Sequence, residues 1–146
     1  WLIVYEKQTN ETQKLTNFFE KLGSIVEIVN TEYHDRILAI TSHLPHLIAY
    51  TIVGTASDLE TDIKNDVIKF SASGFRDFTR IASSDPIMWR DVFLNNSDAV
   101  LEMLQRFNED LSDLQKAIRK KDGDKLHSFF SRTRSIRKKI IDAGQI

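Results

Sequence analysis

Between Thr31 and Val53 apolar residues surround most of a helix, and that stretch limits the fold more than any other. Ile37, Leu38, Ile40, Leu44, Leu47, Ile48, Ile52 and Val53 leave no broad polar side, so the helix is expected to be buried against several others. Thr31 reads as the capping residue, with Glu32 placed where the helix dipole favours negative charge. Pro45 lies inside the run. It lacks the backbone N–H and crowds the preceding turn, which predicts a kink nearby. Gly54 and Ser57-Asp58 mark the end. The chain has only two prolines and five glycines, so long helices are expected elsewhere too.

The flanks follow the same logic. Trp1 to Tyr5 is short, apolar and rich in β-branched and aromatic residues, which predicts a strand. Thr9 or Asn10 can cap a helix carrying Leu15, Phe18, Phe19 and Leu22, with Gly23 as its stop. Ser24 to Val29 predicts a second strand, so residues 1–30 read as strand–helix–strand. Because the chain opens inside an apolar run without methionine, it is expected to be a piece of a longer protein. Beyond the long helix, Asp58 to Phe70 suggests a short helix, Ser71 to Gly74 a loop, and Phe75 to Ala82 a helical segment. Ser84-Asp85-Pro86 is a helix start, and Asn95-Asn96 stop that helix. Val100, Leu101, Leu104, Phe107, Leu111, Leu114 and Ile118 define a longer one, broken at Asp122-Gly123-Asp124. A last amphipathic helix follows through Ile140, making an αα-hairpin. The fold class expected is mainly α: a helical domain over residues 31–146 behind an α/β piece.

The totals exclude several chemistries. No cysteine is present, which removes disulfides, thiol catalysis and thiolate metal sites and fits a cytoplasmic protein. No apolar run is expected to span a membrane, and no signal-peptide pattern opens the chain. A net charge of −1 gives no reason to expect a polyanionic partner. The basic run from Lys116 to Lys139 reads as a solvated helix face rather than a nucleic-acid surface. No Walker loop, GxGxxG, zinc motif or nucleophile elbow occurs.

Two clusters remain. His43 and His46 stand three residues apart, close to one helix face, on either side of Pro45. A hydrogen-bonded core role and a ligand-contacting role are both open to them; a metal site lacks a third ligand at suitable spacing. Arg76, Asp77, Arg80, Asp85, Arg90 and Asp91 form the second cluster, interleaved with Phe75, Phe78, Ile81 and Trp89. Surface ion pairs are the plain reading. The interleaved aromatics favour partial burial, where arginine suits planar recognition of a carboxylate.

The words His34-Asp35-Arg36, Ser42-His43-Leu44-Pro45-His46, Gly74-Phe75-Arg76-Asp77-Phe78-Thr79-Arg80-Ile81-Ala82 and Ser84-Asp85-Pro86-Ile87-Met88-Trp89-Arg90-Asp91 occur in one order and spacing. Together they resemble the prephenate/arogenate (cyclohexadienyl) dehydrogenases. The resemblance implies a helical dimerisation and substrate-binding domain over residues 31–146. Residues 1–30 would be the remnant of a Rossmann-type dinucleotide-binding domain. It also implies an enzyme: oxidative decarboxylation of prephenate or arogenate with NAD or NADP in tyrosine biosynthesis, by a homodimer. Arg80 matches the arginine that holds a substrate carboxylate, and His46 a substrate-facing histidine. Asp77 and Trp89 match residues near the pocket or its intersubunit wall. His43 and Arg76 are expected beside it. The family's glycine-rich cofactor loop and catalytic base have no counterpart in these residues, so this piece alone is expected neither to bind cofactor well nor to turn over. The competing reading is a non-catalytic helical dimerisation or ligand-sensing module.

Overall fold

The computed structural model describes residues 1–5, 7–58, 66 and 69–144. Strand β1 (Leu2–Val4) and strand β2 (Glu27–Val29) pair in parallel, with Ile3 opposite Ile28, and helix α1 (Asn10–Lys21) connects them. Parallel neighbours require such a crossover, because no tight turn can reverse the chain twice. Thr9 caps α1 through a reciprocal box with Thr12: each backbone N–H donates to the other's hydroxyl. Gly23 closes the helix with a positive φ of 81°, a conformation that costs glycine little. Trp1 stacks on Phe19 at 4.1 Å, tying the strand to the crossover helix.

Helix α2 (Thr31–Leu38) starts one residue differently from expectation. Asn30, not Thr31, is the cap; its backbone is extended and its Oδ1 accepts from the Tyr33 N–H at 2.8 Å. A π-helical turn, Ala39–His43, joins α2 to α3 (Leu44–Ser57), making one continuous helix from Thr31 to Ser57. The distortion expected from Pro45 is therefore a π turn just upstream of it. The Leu44 N–H reaches back five residues to the Ala39 carbonyl, and Pro45 falls at the start of α3. The widened turn accommodates the missing N–H of Pro45 inside the continuous helix. The Thr41 hydroxyl donates to the Ile37 carbonyl at 2.6 Å, supplying that carbonyl with a donor within the altered ladder.

This 27-residue helix has a window of mean hydropathy 1.4 and is long and apolar enough to cross a membrane by length and composition. That corrects the expectation that no run is. Only 22% of that window is buried, less than expected for a helix packed against several others. Its polar contacts tie it to later segments, as the Tyr50 hydroxyl donates to the Ser84 carbonyl at 2.7 Å and Asn96 bonds to both α2 and the π turn.

Helix α4 (Ser73–Thr79) tightens into a 3-10 turn, Arg80–Ser83, which packs on α3. It begins at Ser73, inside the stretch expected as loop. The helix expected between Asp58 and Phe70 falls mostly outside the described residues. Helix α5 (Pro86–Asn95) is capped by Asp85, whose carboxylate accepts from the Met88 N–H at 2.8 Å. Helix α6 (Ser97–Arg119) and helix α7 (Gly123–Asp142) complete the chain.

The chain divides into two compact units, Trp1–Met103 and Leu104–Ile146. In the second, α6 ends in a turn where the Asp122 N–H bonds back to the Ala117 carbonyl, and Lys121 takes φ 55°. Glycine is the residue that suits this position. Lys121→Gly is expected to stabilise the chain by about 0.5 kcal/mol, the relief of a left-handed Cβ less glycine's extra unfolded freedom. A lower denaturation midpoint in urea would contradict that assignment.

Candidate active site

The π turn and the first turn of α3 carry His43 and His46 toward α5. The His46 ring stacks on Trp89 with centroids 3.6 Å apart and planes at 22°. His43 meets the same indole edge-on at 6.1 Å, and Phe93 extends the cluster at 5.5 Å from Trp89. Trp89 is 7% exposed and His43 8%. Trp89 reaches this position because Asp85 and Pro86 fix the start of α5 one turn earlier, next to the Ser84 carbonyl that Tyr50 holds.

Hydrogen bonding sets how each histidine presents its ring. The Asn96 amide nitrogen is 2.9 Å from the Asp35 carbonyl and 3.1 Å from His43 Nδ1. A carbonyl can only accept, so the group there is the NH2, and its second hydrogen meets His43 Nδ1. His43 Nδ1 is then the acceptor, and the ring hydrogen lies on Nε2. Burial, chiefly, pushes the His43 pKa below its usual value; His34 and His46 push the same way and Asp35 opposes them. The net effect favours the neutral ring. His46 shows the opposite arrangement: its Nδ1 is 2.9 Å from the Ser42 carbonyl, so Nδ1 donates and Nε2 is the free nitrogen.

Among the described residues two donors in this cluster have no protein acceptor. The buried Trp89 Nε1–H makes no hydrogen bond, and among the described residues His43 makes only its Nδ1 contact. An unsatisfied buried N–H such as that of Trp89 is uncommon, and a ligand oxygen would satisfy it.

The arginine cluster is placed nearby but not sealed in. The Arg80–Ser83 turn packs on α3, the helix that carries His46 and Tyr50. Arg76, Asp77 and Arg80 are all exposed, and their side chains make no ion pair among the described residues. Phe75 and Ile81 are partly buried, as the interleaving suggested, while Phe78 remains exposed. Arg90 instead pairs with its neighbour Asp91 at 2.7 Å, the surface role expected of adjacent charges.

A groove of about 270 Å³ is lined by Asn96 together with Glu32, Asp35, Arg36, Asp98 and Glu102. Four carboxylates against one guanidinium make a poor seat for an anion. Among the described residues no group of three histidine or carboxylate side chains could hold a metal ion.

Residues 30–132 match the family described as prephenate dehydrogenase, dimerization domain. The chain belongs to this family. It is 39% identical over 123 residues to the cyclohexadienyl dehydrogenase of Zymomonas mobilis, covering 84% of this chain and 42% of that protein. Its fold matches the prephenate dehydrogenase of A. aeolicus, solved in complex with hydroxyphenyl propionate and NAD+. The TM-score is 0.84 at 33% identity, covering 95% of this chain and 50% of that one. Synechocystis arogenate dehydrogenase gives a TM-score of 0.84 at 25% identity over 94% of this chain and 51% of its own. The chain thus spans about half the length of such relatives or less.

In this member of the prephenate dehydrogenase family, the start of α1 differs from that of a Rossmann-type dinucleotide site. Such a site places a pyrophosphate against free N–H groups at a helix N-terminus, after a glycine-rich turn. The β1–α1 connection contains no glycine, and Thr9 and Thr12 cap each other at the start of α1. Sequence reasoning brought His43, His46 and Trp89 forward and missed Asn96, reading it only as a helix stop. Its partners are 53 and 61 residues away, so no local pattern could have revealed it.

Proposed function

We propose that this chain is the helical, substrate-binding part of a prephenate/arogenate dehydrogenase, which oxidatively decarboxylates prephenate or arogenate in tyrosine biosynthesis. On this reading residues 1–30 are the tail of a dinucleotide-binding domain and residues 31–146 the dimerisation and substrate domain. The carrying observation is that the family match runs through the residues that form the His43–His46–Trp89 cluster.

The chemistry of such a substrate suits the side chains. Prephenate is a dianion with a ring hydroxyl. Arg80, exposed and free of any ion pair among the described residues, offers parallel N–H donors to a carboxylate, the strongest kind of neutral-pH contact available here. His46 presents one free ring nitrogen beside a flat aromatic wall, suited to a six-membered ring with an oxygen substituent. On this reading His43 and Arg76 would lie beside these contacts, and Asp77 and Trp89 would belong to the wall. The contribution of this chain is to bind and orient the ring. NAD or NADP, the oxidant, is held outside these residues, so the isolated 146-residue chain does not turn over.

A second copy of the chain is the natural cover for the apolar residues left in contact with solvent. Leu111 and Ile118 are seven residues apart on α6, and Phe130, Ile136 and Ile140 lie on α7; all are exposed. We read the assembly as a cytoplasmic homodimer, with no nucleic-acid partner. The test is turnover by the full-length parent, with prephenate and arogenate against each nicotinamide cofactor, on material whose mass in solution is measured. Dimeric, active enzyme supports the proposal. A parent that oxidises neither substrate leaves the module as a ligand-binding or dimerisation domain.

A further inference from the structure

We propose that Asn96 is a positioning residue that locks His43 into the tautomer with its hydrogen on Nε2, so that the helix offers a fixed N–H donor beside His46. Three observations meet in it. The Asn96 NH2 is anchored by the Asp35 carbonyl at 2.9 Å, a group that only accepts, so the amide cannot rotate to present its oxygen to His43 without losing that bond. Its second hydrogen is 3.1 Å from His43 Nδ1. Among the described residues the Nε2–H this leaves has no acceptor, and the atom is not sealed from solvent, so it stays open to a ligand.

The placement of Asn96 makes it suited to this work. It is the capping residue between the end of α5 and the start of α6, with φ −114° and ψ 36°, so its side chain is not committed to a helix face. From there it bridges α2, through the Asp35 carbonyl, and the π turn, through His43. The π turn brings His43 to it, and the stack on Trp89 holds His46 next door. Free in water, an imidazole exchanges its hydrogen between two nitrogens; here one hydrogen bond selects. The two histidines then present unlike nitrogens, a donor from His43 and the free Nε2 of His46, which would orient a ligand bearing both an acceptor oxygen and an O–H or N–H. The use of that donor toward prephenate or arogenate rests on the function proposed above; the tautomer itself does not.

The experiment reads the tautomer without substrate or turnover. The full chain is labelled with nitrogen-labelled histidine, the His43 signals are assigned with His43→Gln, and long-range proton–nitrogen spectra are recorded at neutral pH. The expected wild-type pattern is a pyridine-like Nδ1 and a pyrrole-like Nε2. In Asn96→Asp the side chain can only accept, so the two signatures should exchange or become those of an imidazolium. In Asn96→Ser, a smaller change kept in case the aspartate variant misfolds, the signals should move toward the average of two exchanging tautomers. A wild-type His43 protonated at Nδ1, or a pattern unchanged in folded Asn96→Asp or Asn96→Ser, overturns the proposal. In the full-length parent, Asn96→Asp should lower kcat/KM by about tenfold or more, as expected when a ring is held in the wrong tautomer. Loss of the tautomer lock with unchanged turnover would reject the positioning role, whereas a parent with no turnover at all would reject the dehydrogenase reading and leave the spectra to judge the tautomer.

Discussion

Arg80→Ala in the full-length parent is expected to cut kcat/KM for prephenate by about 100-fold, mostly through KM. A hydrogen bond to a charged group contributes about 1.5–3 kcal/mol, and a paired guanidinium–carboxylate contact lies at or above the upper end. About 3 kcal/mol corresponds to a little over two decades. Because the carboxylate contact is present in both bound substrate and transition state, its loss weakens binding more than it slows the chemistry. Arg80→Lys should recover only part, since an ammonium cannot match both oxygens of a planar carboxylate. Little stability should be lost, because the side chain is exposed and makes no ion pair among the described residues. Steady-state kinetics on both variants decide the matter: a KM unchanged in Arg80→Ala removes the residue from the substrate site.

The second large effect is on the fold. Trp89→Ala is expected to destabilise the chain by about 3–5 kcal/mol, the usual range for emptying a buried aromatic position. The indole is 7% exposed, stacks on His46, and touches His43 and Phe93. Its removal therefore opens a cavity where α3 meets α5. Thermal unfolding should fall by roughly 10 °C for a chain of this size. Trp89→Phe is the informative control. It keeps an aromatic face against His46 and strands no partner, since Trp89 Nε1 makes no hydrogen bond among the described residues. It should cost much less in stability, while any ligand that uses the indole N–H should bind it less tightly. An alanine variant that melts within a degree or two of wild type would show that the stack contributes nothing to the core.

The helical architecture was readable because local rules and burial agree along most of the chain. Asp85-Pro86 predicted the start of α5, and the structure shows the Asp85 cap that explains it. Gly23 predicted the end of α1 and takes the positive φ that only glycine adopts freely. The apolar spacing of α6 gave its extent to within a residue at the start, Ser97. Where two neighbours compete for one role the rules separate them poorly, as with Asn30 and Thr31: both can cap, and the choice depends on which backbone is extended.

The candidate site divides along a similar line. The residue types and their order, His43 and His46 around Pro45 and the Phe75–Trp89 cluster, pointed to a family and an anion-binding chemistry by themselves. Periodicity also placed both histidines near one face. It could not give the π turn, because a proline inside a helix can be absorbed as a kink, a break or a widened turn, and neighbouring packing selects among them. Nor could it pair Asn96 with His43, since a hydrogen bond across 53 residues exists only after α5 is laid against α2 and α3. The sequence alone determined which elements form and which chemical groups they carry, because capping, periodicity and side-chain type are local properties. Only the tertiary structure decided which ring nitrogen holds its hydrogen, which indole wall the histidines meet and which donors are left for a ligand, because those are set by contacts between segments far apart in the chain.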